Sequence, residues 1–325
     1  MELSGVGAAP GVAIGPVWRH DASATDGAAA APVLDVREAA DRAAAELNEL
    51  AARRRAAHRA DEADILGAQA LMATDPMLLE AIEARVAAAE IPPSAEDLAA
   101  IVETVAGEQA EVIASLGDET LAARAADVRD VGARIARIVA GRSIKLPDVP
   151  SIAIAEDLPP SVAAEIEDGL LLGIALERGS MTSHAAILAR GLGIPAVVGA
   201  RGLLDAAHEV AAGANGAVTV AVDGDTGRVI FDPTEAERSE LETLAAGRQA
   251  AGAVARELRG RPGQTADGQR VALLANIGRV EDVDRALEAG AEGVGLFRTE
   301  FLFVGRPSEP TEDEQVEAYR RVLEA

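Results

Sequence analysis

The sequence contains no cysteine, so disulfide bonds and thiolate chemistry are excluded within these 325 residues. Aromatic residues make up only 2% of the chain, and we therefore expect cores built from Ala, Val, Leu and Ile. No apolar run reaches the roughly 18 residues that a membrane-spanning helix needs, and no segment resembles a signal peptide. These absences predict a cytoplasmic protein without membrane contact.

Basic residues are scarce relative to acidic ones. The 30 Lys and Arg side chains against 54 Asp and Glu side chains give a formal net charge of −24. Such a charge argues against binding of nucleic acid or anionic membranes and allows a partner protein with a basic face. Hydrophobic residues, at 49%, are ample for packed cores, and the length allows two or three domains.

Hydrophobic periodicity divides the chain into segments. Residues 36 to about 141 are helical in pattern, with breaks at Asp75-Pro76, Pro92-Pro93 and Gly117-Asp118, and they predict an antiparallel helical bundle. Short apolar runs separated by Gly and Pro in residues 143–232 predict a compact α/β domain. Residues 234–260 are charged and alanine-rich and predict one linker helix.

The last segment begins near Gly268. An apolar run ends at Asn276, a helical pattern follows near residues 281–288, and a second apolar run begins at Gly293. Strand, helix and strand at this spacing predict a βα unit of a barrel-like domain.

A single histidine stands at the centre of residues 176–199, LERGSMTSHAAILARGLGIPAVVG. Thr182 is a good N-cap residue and Ala185 begins a run of helix formers, so His184 is predicted in the first turn of a helix. Imidazole is a good nucleophile near neutral pH, and the amide groups and positive dipole end of a helix start favour an anion. The arrangement therefore suits a histidine that carries phosphate.

The alternative interpretation is a histidine that only caps or packs at a helix start, which is the commoner role of a lone histidine. The remaining histidines of the chain are assigned to that structural role: His20, His58 and His208.

Two motifs distinguish His184 from the other histidines. The pattern G-x-x-T-S-H-A-A-I-x-A-R followed by G-I-P-A-V-V-G resembles the phosphohistidine signature shared by Enzyme I of the bacterial phosphoenolpyruvate:sugar phosphotransferase system, phosphoenolpyruvate synthases and pyruvate phosphate dikinases. Residues 295–302, GLFRTEFL, resemble the start of the phosphoenolpyruvate-binding barrel of Enzyme I. The chain is therefore identified as similar to Enzyme I.

The resemblance implies a fold of the α/β plus all-α class. A phosphohistidine swivelling α/β domain carries an inserted helical bundle and precedes the start of an incomplete (β/α)8 barrel. The implied boundaries are residues 1–20 and 143–232 for the phosphohistidine domain, 33–142 for the helical HPr-binding bundle, 234–262 for the linker helix and 263–325 for the barrel fragment.

The resemblance also implies a two-step transfer. Phosphoenolpyruvate phosphorylates His184, and phospho-His184 passes the group to a histidine of the phosphocarrier protein HPr for sugar uptake. In this scheme His184 is nucleophile and carrier, Thr182 caps its helix and orients the phosphate, and Arg298 binds phosphoenolpyruvate. Arginine suits that role because its planar fork makes bidentate bonds to phosphate oxygens.

Residues 65–79 resemble the helix-break-helix with which Enzyme I binds HPr, and residues 124–130, RAADVRD, match a helix signature of the family. The apolar centre of the implied contact consists of Leu71, Met72, Met77, Leu78 and Leu79. The alternative is that these side chains are core residues of the bundle, and the pattern leaves both open.

A complete (β/α)8 barrel has eight strands and about 250 residues, whereas roughly 60 residues follow position 262 here. In the family, the second phosphate-binding arginine, the magnesium carboxylates, the cysteine acid/base and the dimer interface lie further on. Mg²⁺ is thus an implied cofactor with no ligands in this chain. We expect a truncated, monomeric chain that exchanges phosphate with HPr but does not take it from phosphoenolpyruvate.

Two alternative functions stay open. One is a catalytically idle module that binds a phosphocarrier without turnover, and replacing His184 with Ala would separate the two because the module would keep its effect. The other is a fragment of a phosphoenolpyruvate synthase or pyruvate phosphate dikinase. Those enzymes have a large ATP-binding domain before the phosphohistidine domain, whereas an alanine-rich helical segment without a nucleotide loop stands here.

Overall fold

The computed structural model describes residues 1–20, 32, 35–57, 59–89, 91–115, 119–181, 183–213, 218–303 and 309–325. These residues form two compact units, Met1–Ala245 and Ala246–Ala325. The first unit contains a helical bundle and an eight-stranded sheet, and the second contains two short sheets and two helices.

Five helices build the bundle, and most of the predicted breaks between them are found. Asp75 caps one helix start and Pro76 occupies its first turn, while Ser94 and Asp97 form a capping box at the start of the next helix. A further break at residues 57–59 is not predicted by the pattern, because good helix formers precede it. The helices are α1 (Val36–Ala56), α2 (Ala60–Ala73), α3 (Pro76–Ala87), α4 (Ala95–Ala114) and α5 (Glu119–Ala140).

No single helix in the described ranges is long and apolar enough to cross a membrane. The consecutive helices Glu62–Ala73 and Pro76–Ala87 reach the length and apolar composition of a membrane span only when they are counted together, and the chain bends by 42° between them.

Small residues bring the helices of the bundle close together. Ala39, Ala40 and Ala43 of α1 are fully buried in its core. A Cβ built on Gly132 of α5 would lie only 2.3 Å from the Cβ of Ala106 in α4. The alanine-rich core expected from the composition is therefore confirmed, and it depends on glycine where α4 and α5 meet.

The sheet of the first unit is mixed, with the strand order β1-β8-β7-β3-β4-β5-β6-β2. Strands β3 to β6 pair in parallel, and the remaining pairs are antiparallel. The whole bundle is inserted between the neighbouring strands β3 and β4. The strands are β1 (Glu2–Ser4), β2 (Val6–Ala9), β3 (Val12–Arg19), β4 (Ser151–Ala155), β5 (Leu171–Leu176), β6 (Ala196–Val198), β7 (Thr219–Asp223) and β8 (Arg228–Phe231).

Both faces of the sheet are covered. Along β4, Ala153 packs in one core with helices α6 (Pro160–Glu165) and α7 (His184–Leu192), while Ile152 and Ile154 pack in another core with α8 (Leu203–Gly213). This alternation follows from the two-residue period of a strand. It places α6 and α7 on the same face of the sheet.

Helix α9 (Glu235–Glu257) is found where residues 234–260 predict a helix, and the division between the two units falls within it; its role as a linker stays a prediction. In the second unit, β9 (Gly263–Gln264) pairs with β10 (Arg270–Val271), and β11 (Leu274–Ile277) pairs in parallel with β12 (Gly293–Phe297). Helices α10 (Asp282–Glu288) and α11 (Glu312–Glu324) follow β11 and β12 in turn. The predicted strand-helix-strand unit is confirmed, and its membership of a barrel stays a prediction.

Candidate active site

His184 is the first residue of α7, as predicted, but the cap of that helix is not the predicted one. The Oγ of Ser183 accepts a hydrogen bond from the amide of Ala186 at 3.4 Å, so Ser183 is the N-cap residue. Thr182 lies outside the described residues, and its role in orienting phosphate stays a prediction. The helix ends at Gly193, whose φ of 69° is the left-handed conformation that suits glycine.

Helix α7 packs closely on the sheet and is held there by hydrogen bonds. Its inner face consists of the small buried residues Ala185, Ala186 and Ala189, which let the helix backbone approach the strands closely. Near its other end, Arg190 donates from Nη1 to the carbonyl oxygens of Ala8 at 2.8 Å and Met181 at 3.0 Å. These bonds tie the loop before His184 to β2 and to α7 itself.

The His184 side chain is half-buried and lines a cleft between α7, α6 and the bundle helix α2. The cleft measures about 360 Å³ including its open mouth. Besides His184, the only polar side chain that lines it among the described residues is that of Glu62. The other lining residues are apolar: Ile65, Leu66, Leu158, Pro160, Ala164, Ala185, Ile187 and Leu188. The histidine therefore lies where the sheet domain faces the helical bundle.

A buried polar network lies beside this cleft. The amide of Gln69 in α2 donates from Nε2 to Asp127 at 3.0 Å and to Asp130 at 3.1 Å, both in α5. Asp130 also accepts from the backbone amide of Ser161 at 3.2 Å and from its Oγ at 2.6 Å. Two bundle helices and α6 are thus joined through side chains that have no exposure beyond 5%.

The electrostatic environment of Asp127 connects this network to the histidine. Burial raises the pKa of Asp127, while the positive charge of His184, the hydrogen bond from Gln69 and the charge of Arg124 each oppose that rise. The Arg124 guanidinium lies 3.7 Å from Asp127 Oδ2. Sequence reasoning did not single out Gln69 or Asp127. The sequence signal that could have pointed to this network is the pair of carboxylates three residues apart, Asp127 and Asp130, in residues 124–130.

Two buried arginines of the bundle hold α6. Arg54 of α1 donates from Nη2 to the carbonyl of Ala164 at 2.9 Å, and its Nη1 lies 3.2 Å from Asp168. Arg134 of α5 donates to Glu46 at 3.0 Å and to Glu165. Burial opposes ionisation of Asp168, but Arg59 and Arg54 outweigh it, so the pKa of Asp168 is lowered. The last carbonyls of α6 receive cationic donors, which complements its dipole.

The predicted HPr-contact residues divide into two groups. Leu71 and Met77 are 76% and 77% exposed, and they project from the α2–α3 corner. Leu78 and Leu79 are 3% and 5% exposed and belong to the bundle core, so the prediction that they form part of a contact surface is corrected: their side chains are already packed. Met72 is partly buried against the same core.

Arg298 belongs to the second unit. It is exposed and directly follows β12, so it lies at the carboxyl end of that strand as predicted, and its amide donates to the carbonyl of Ile277 at 2.9 Å. Among the described residues of the whole chain, no group of three or more His, Asp or Glu side chains is arranged to hold a metal ion. The residues present do not fit a magnesium site, and no step below depends on one.

Three segments match domains of PEP-utilising enzymes. Residues 4–124 match the N-terminal domain, residues 147–227 the mobile domain and residues 253–325 the PEP-binding domain. The phosphoenolpyruvate-protein phosphotransferases of Streptomyces coelicolor and Bacillus subtilis are 43% and 37% identical over 99% and 100% of this chain. The chain belongs to the phosphoenolpyruvate-protein phosphotransferase family.

A solved structure supports the same family at the level of the fold. An NMR solution structure of Enzyme I (nEIt) is 29% identical in sequence to this chain and superposes with a TM-score of 0.54. The match covers 76% of this chain and 99% of the chain in that structure. The chain spans 56% of the length of the two phosphotransferases named above. Family membership is therefore established for this stretch, and the reaction of a whole phosphotransferase is a matter of proposal.

Proposed function

We propose that this chain is the phosphohistidine-carrying part of a phosphoenolpyruvate-protein phosphotransferase. His184 receives phosphate that originates from phosphoenolpyruvate and passes it to a histidine of HPr in the cytoplasm, in support of sugar uptake. The observation that carries the proposal is the position of His184. It is the first residue of a nine-residue helix and lies in a cleft that faces the helical bundle.

The helix start suits both the nucleophile and the group transferred. A neutral ring nitrogen of His184 attacks phosphorus with its electron pair, and the bond from phosphorus to the donor nitrogen of phospho-HPr breaks, returning its electron pair to that nitrogen. The free amides and the positive dipole end of α7 favour the phosphate anion. The reaction can run in both directions because the phosphate passes between two imidazole nitrogens.

The α2–α3 corner is the proposed HPr contact, now centred on Leu71 and Met77. Both side chains are exposed and apolar; Leu71 lies in the last turn of α2, and Met77 lies in the first turn of α3, which Asp75 caps. The net charge of −24 favours a partner with a basic face. Helix α2 supplies both the corner and one wall of the His184 cleft, so a partner bound there lies close to the phosphorylated ring.

The second unit is the proposed start of the phosphoenolpyruvate-binding domain. Arg298 at the carboxyl end of β12 is the proposed phosphate ligand, because its guanidinium is exposed and can form two parallel bonds to phosphate oxygens. The domain boundaries proposed for the chain follow from the same family resemblance.

Phosphoryl exchange with phospho-HPr tests the proposal. After mixing at mildly alkaline pH, intact-mass spectrometry should show the gain of one acid-labile phosphate, mapped to His184. The variant His184→Ala should remain unlabelled, whereas His208→Ala, a change at an exposed histidine of α8, should be labelled like the parent chain. An unlabelled parent chain, or a label that persists in His184→Ala, would contradict the proposal.

A further inference from the structure

A second pocket lies at the opposite end of α7 from His184. It is formed by the end of α1, the break that follows it, the loop between α6 and β5, and Leu192, the last residue of α7. It measures about 490 Å³ including its open mouth, a volume within the range of small-molecule sites. Among the described residues, none lines both this pocket and the cleft of His184. The pocket is therefore separate from the site of phosphoryl transfer.

Two arginines of this pocket differ in how fully their hydrogen-bond donors are used. Arg54 donates from Nη2 to the carbonyl of Ala164 at 2.9 Å and from Nη1 to Asp168 at 3.2 Å. Its Nε lies 3.6 Å from Glu62. Arg59 donates from Nη1 only, to Oδ1 of Asp168 at 3.1 Å, and its Nε and Nη2 donate to no residue in the described ranges although its side chain is only 21% exposed. Nε and Nη2 form the edge of a guanidinium that binds a carboxylate through two parallel hydrogen bonds, so this edge of Arg59 is available to a ligand.

Negative groups lie beside these arginines in the same pocket. Asp168 accepts from both arginines through Oδ1. Its Oδ2 accepts no hydrogen bond from the described part of the chain, and its side chain is 64% exposed. Glu167 is exposed and lines the pocket as well. Because the two cations and two carboxylates cancel in formal charge, the pocket favours a ligand that carries one charge of each sign over a simple anion.

The remaining wall of the pocket is largely aliphatic. Ile166 and Leu171 are buried, and Leu192 and Ile194 are half-buried. An aliphatic group of a ligand that covers the half-buried pair removes apolar surface from water on both sides, which favours binding. The pocket therefore combines a carboxylate-binding edge, free carboxylate oxygens and an apolar wall.

We propose that this pocket binds a free α-amino acid with an aliphatic side chain. The α-carboxylate accepts hydrogen bonds from Nε and Nη2 of Arg59, and the α-ammonium group donates to Oδ2 of Asp168 and to Glu167. The aliphatic side chain packs on Leu192 and Ile194. Binding is non-covalent and does not depend on the proposed phosphoryl exchange, since no group of this pocket takes part in that reaction.

A purely structural role of Arg59 is the competing explanation, because its Nη1 also holds Asp168 in the loop after α6. A structural pair needs no ligand, and it does not distinguish one small molecule from another. The choice of ligands therefore separates the two explanations.

The first measurement is titration calorimetry of the full chain with three matched ligands. L-Leucine carries both charges, 4-methyl-2-oxopentanoate lacks the ammonium group, and 3-methylbutylamine lacks the carboxylate. Leucine should bind at one site per chain and saturate it by about 10 mM, and the other two ligands should bind roughly tenfold or more weakly. Absence of leucine binding at that concentration, or equal affinity for all three ligands, would overturn the proposal.

Two arginine variants locate the site. Arg59→Gln should weaken leucine binding roughly tenfold or more, because the carboxylate loses its charged partner. Arg53→Gln changes an exposed arginine near the end of α1 that does not line the pocket, and it should bind leucine like the parent chain. Equal affinities of the two variants would contradict the assignment to Arg59.

A second measurement does not depend on whether Arg59→Gln folds. In NMR spectra of the isotope-labelled parent chain, added leucine should shift the Nε–H resonance of Arg59 and the methyl resonances of Leu192 and Ile194, all with the dissociation constant found by calorimetry. The ring resonances of His184 should not follow that titration. Shifts confined to His184 and its cleft, or no shifts in the pocket, would overturn the proposal.

Discussion

At the scale of single residues, Met77 and Leu78 are neighbours with opposite roles. Leu78 is buried in the bundle core and Met77 is exposed. Leu78→Ala should lower the free energy of unfolding by about 2–4 kcal/mol because it leaves a cavity, whereas Met77→Ala should change it by less than about 0.5 kcal/mol. Urea unfolding followed by circular dichroism measures both.

The same pair tests the proposed contact. Met77→Ala should weaken binding of HPr, measured by titration calorimetry, and leave stability unchanged. A Met77→Ala chain that binds HPr with parental affinity would remove the α2–α3 corner from the proposal. Leu78→Ala serves as the control for nonspecific loss of structure.

Residue roles were predictable from sequence only where a linear motif carries them. The motif placed His184 in the first turn of α7, and the structure agrees. The N-cap prediction was wrong by one residue, since Thr182 and Ser183 are both good caps and only backbone geometry chooses Ser183. Asp127 could not be placed beside Gln69 because the two are separated along the chain and meet only through tertiary packing.

At the scale of secondary-structure elements, α6 is a six-residue helix held by arginines from two bundle helices. Arg54→Ala should destabilise the chain by about 3–5 kcal/mol, because it leaves the carbonyl of Ala164 and the mostly buried carboxylate of Glu62 without their cation. It should also speed amide hydrogen exchange in residues 160–166. The neighbouring variant Arg55→Ala removes an exposed pair with Asp64 and should cost less than about 1 kcal/mol. Equal losses in the two variants would refute the role assigned to Arg54.

The crossing of α4 and α5 provides a second test on elements. Gly132→Ala should destabilise the bundle by about 1–3 kcal/mol, since the new methyl group would overlap Ala106. Gly107 in α4 has no atom within 4 Å of a Cβ built on it, so Gly107→Ala should stabilise by about 0.5–1 kcal/mol. Thermal unfolding of both variants gives the comparison. A destabilised Gly107→Ala chain would show that the two glycines do not differ as described.

Most helices and strands could be predicted from hydrophobic periodicity, but the side-chain contacts between them could not. The predicted helices of residues 36–141 and the strands around His184 are found because each has a local apolar pattern. The break between α1 and α2 was missed, since the Ala and Arg residues at the end of α1 favour a helix. The bridge from Gln69 to Asp127 and Asp130 joins residues 58 and 61 positions apart, a separation that no local pattern encodes.

At the scale of the whole molecule, the buried carboxylate of Asp127 makes stability depend on pH. Its pKa is higher in the folded chain than in the unfolded chain, so the folded state binds the proton more tightly and its advantage is lost as pH rises through the raised value. Relative to Asp127→Asn, the parent chain should therefore lose stability as pH rises from the ordinary pKa of an aspartate through the raised pKa of Asp127. His184, Arg124 and Asp130 are the charged groups that face Asp127.

Urea unfolding of both chains across that pH range measures the difference. A parent chain that gains stability relative to Asp127→Asn as pH rises would contradict the sign. The expected loss means that the ionised carboxylate of Asp127 costs stability, because burial disfavours its charged form.

The division into two compact units predicts the pattern of limited proteolysis. The second half of α9 and the turn after it are exposed, and they contain Arg248, Arg256, Arg259 and Arg261. Trypsin at low concentration should cut first between residues 248 and 261, as seen by mass spectrometry. The larger fragment should still exchange phosphate with phospho-HPr, and a first cut inside α1 to α8 would contradict the division.

The pairing of β1 with β8 sets an order for events during synthesis. Residues 2–4 hydrogen-bond with residues 228–230, so β1 cannot pair until the ribosome has synthesised nearly the whole first unit. At about 5–20 residues per second that wait lasts roughly 10–45 s. The helices α1 to α5 make mainly local contacts and can form in the interval. A nascent chain with an unpaired leading strand is open to association with its neighbours, and the shortness of β1, with polar Glu2 and Ser4 at its ends, limits that hazard.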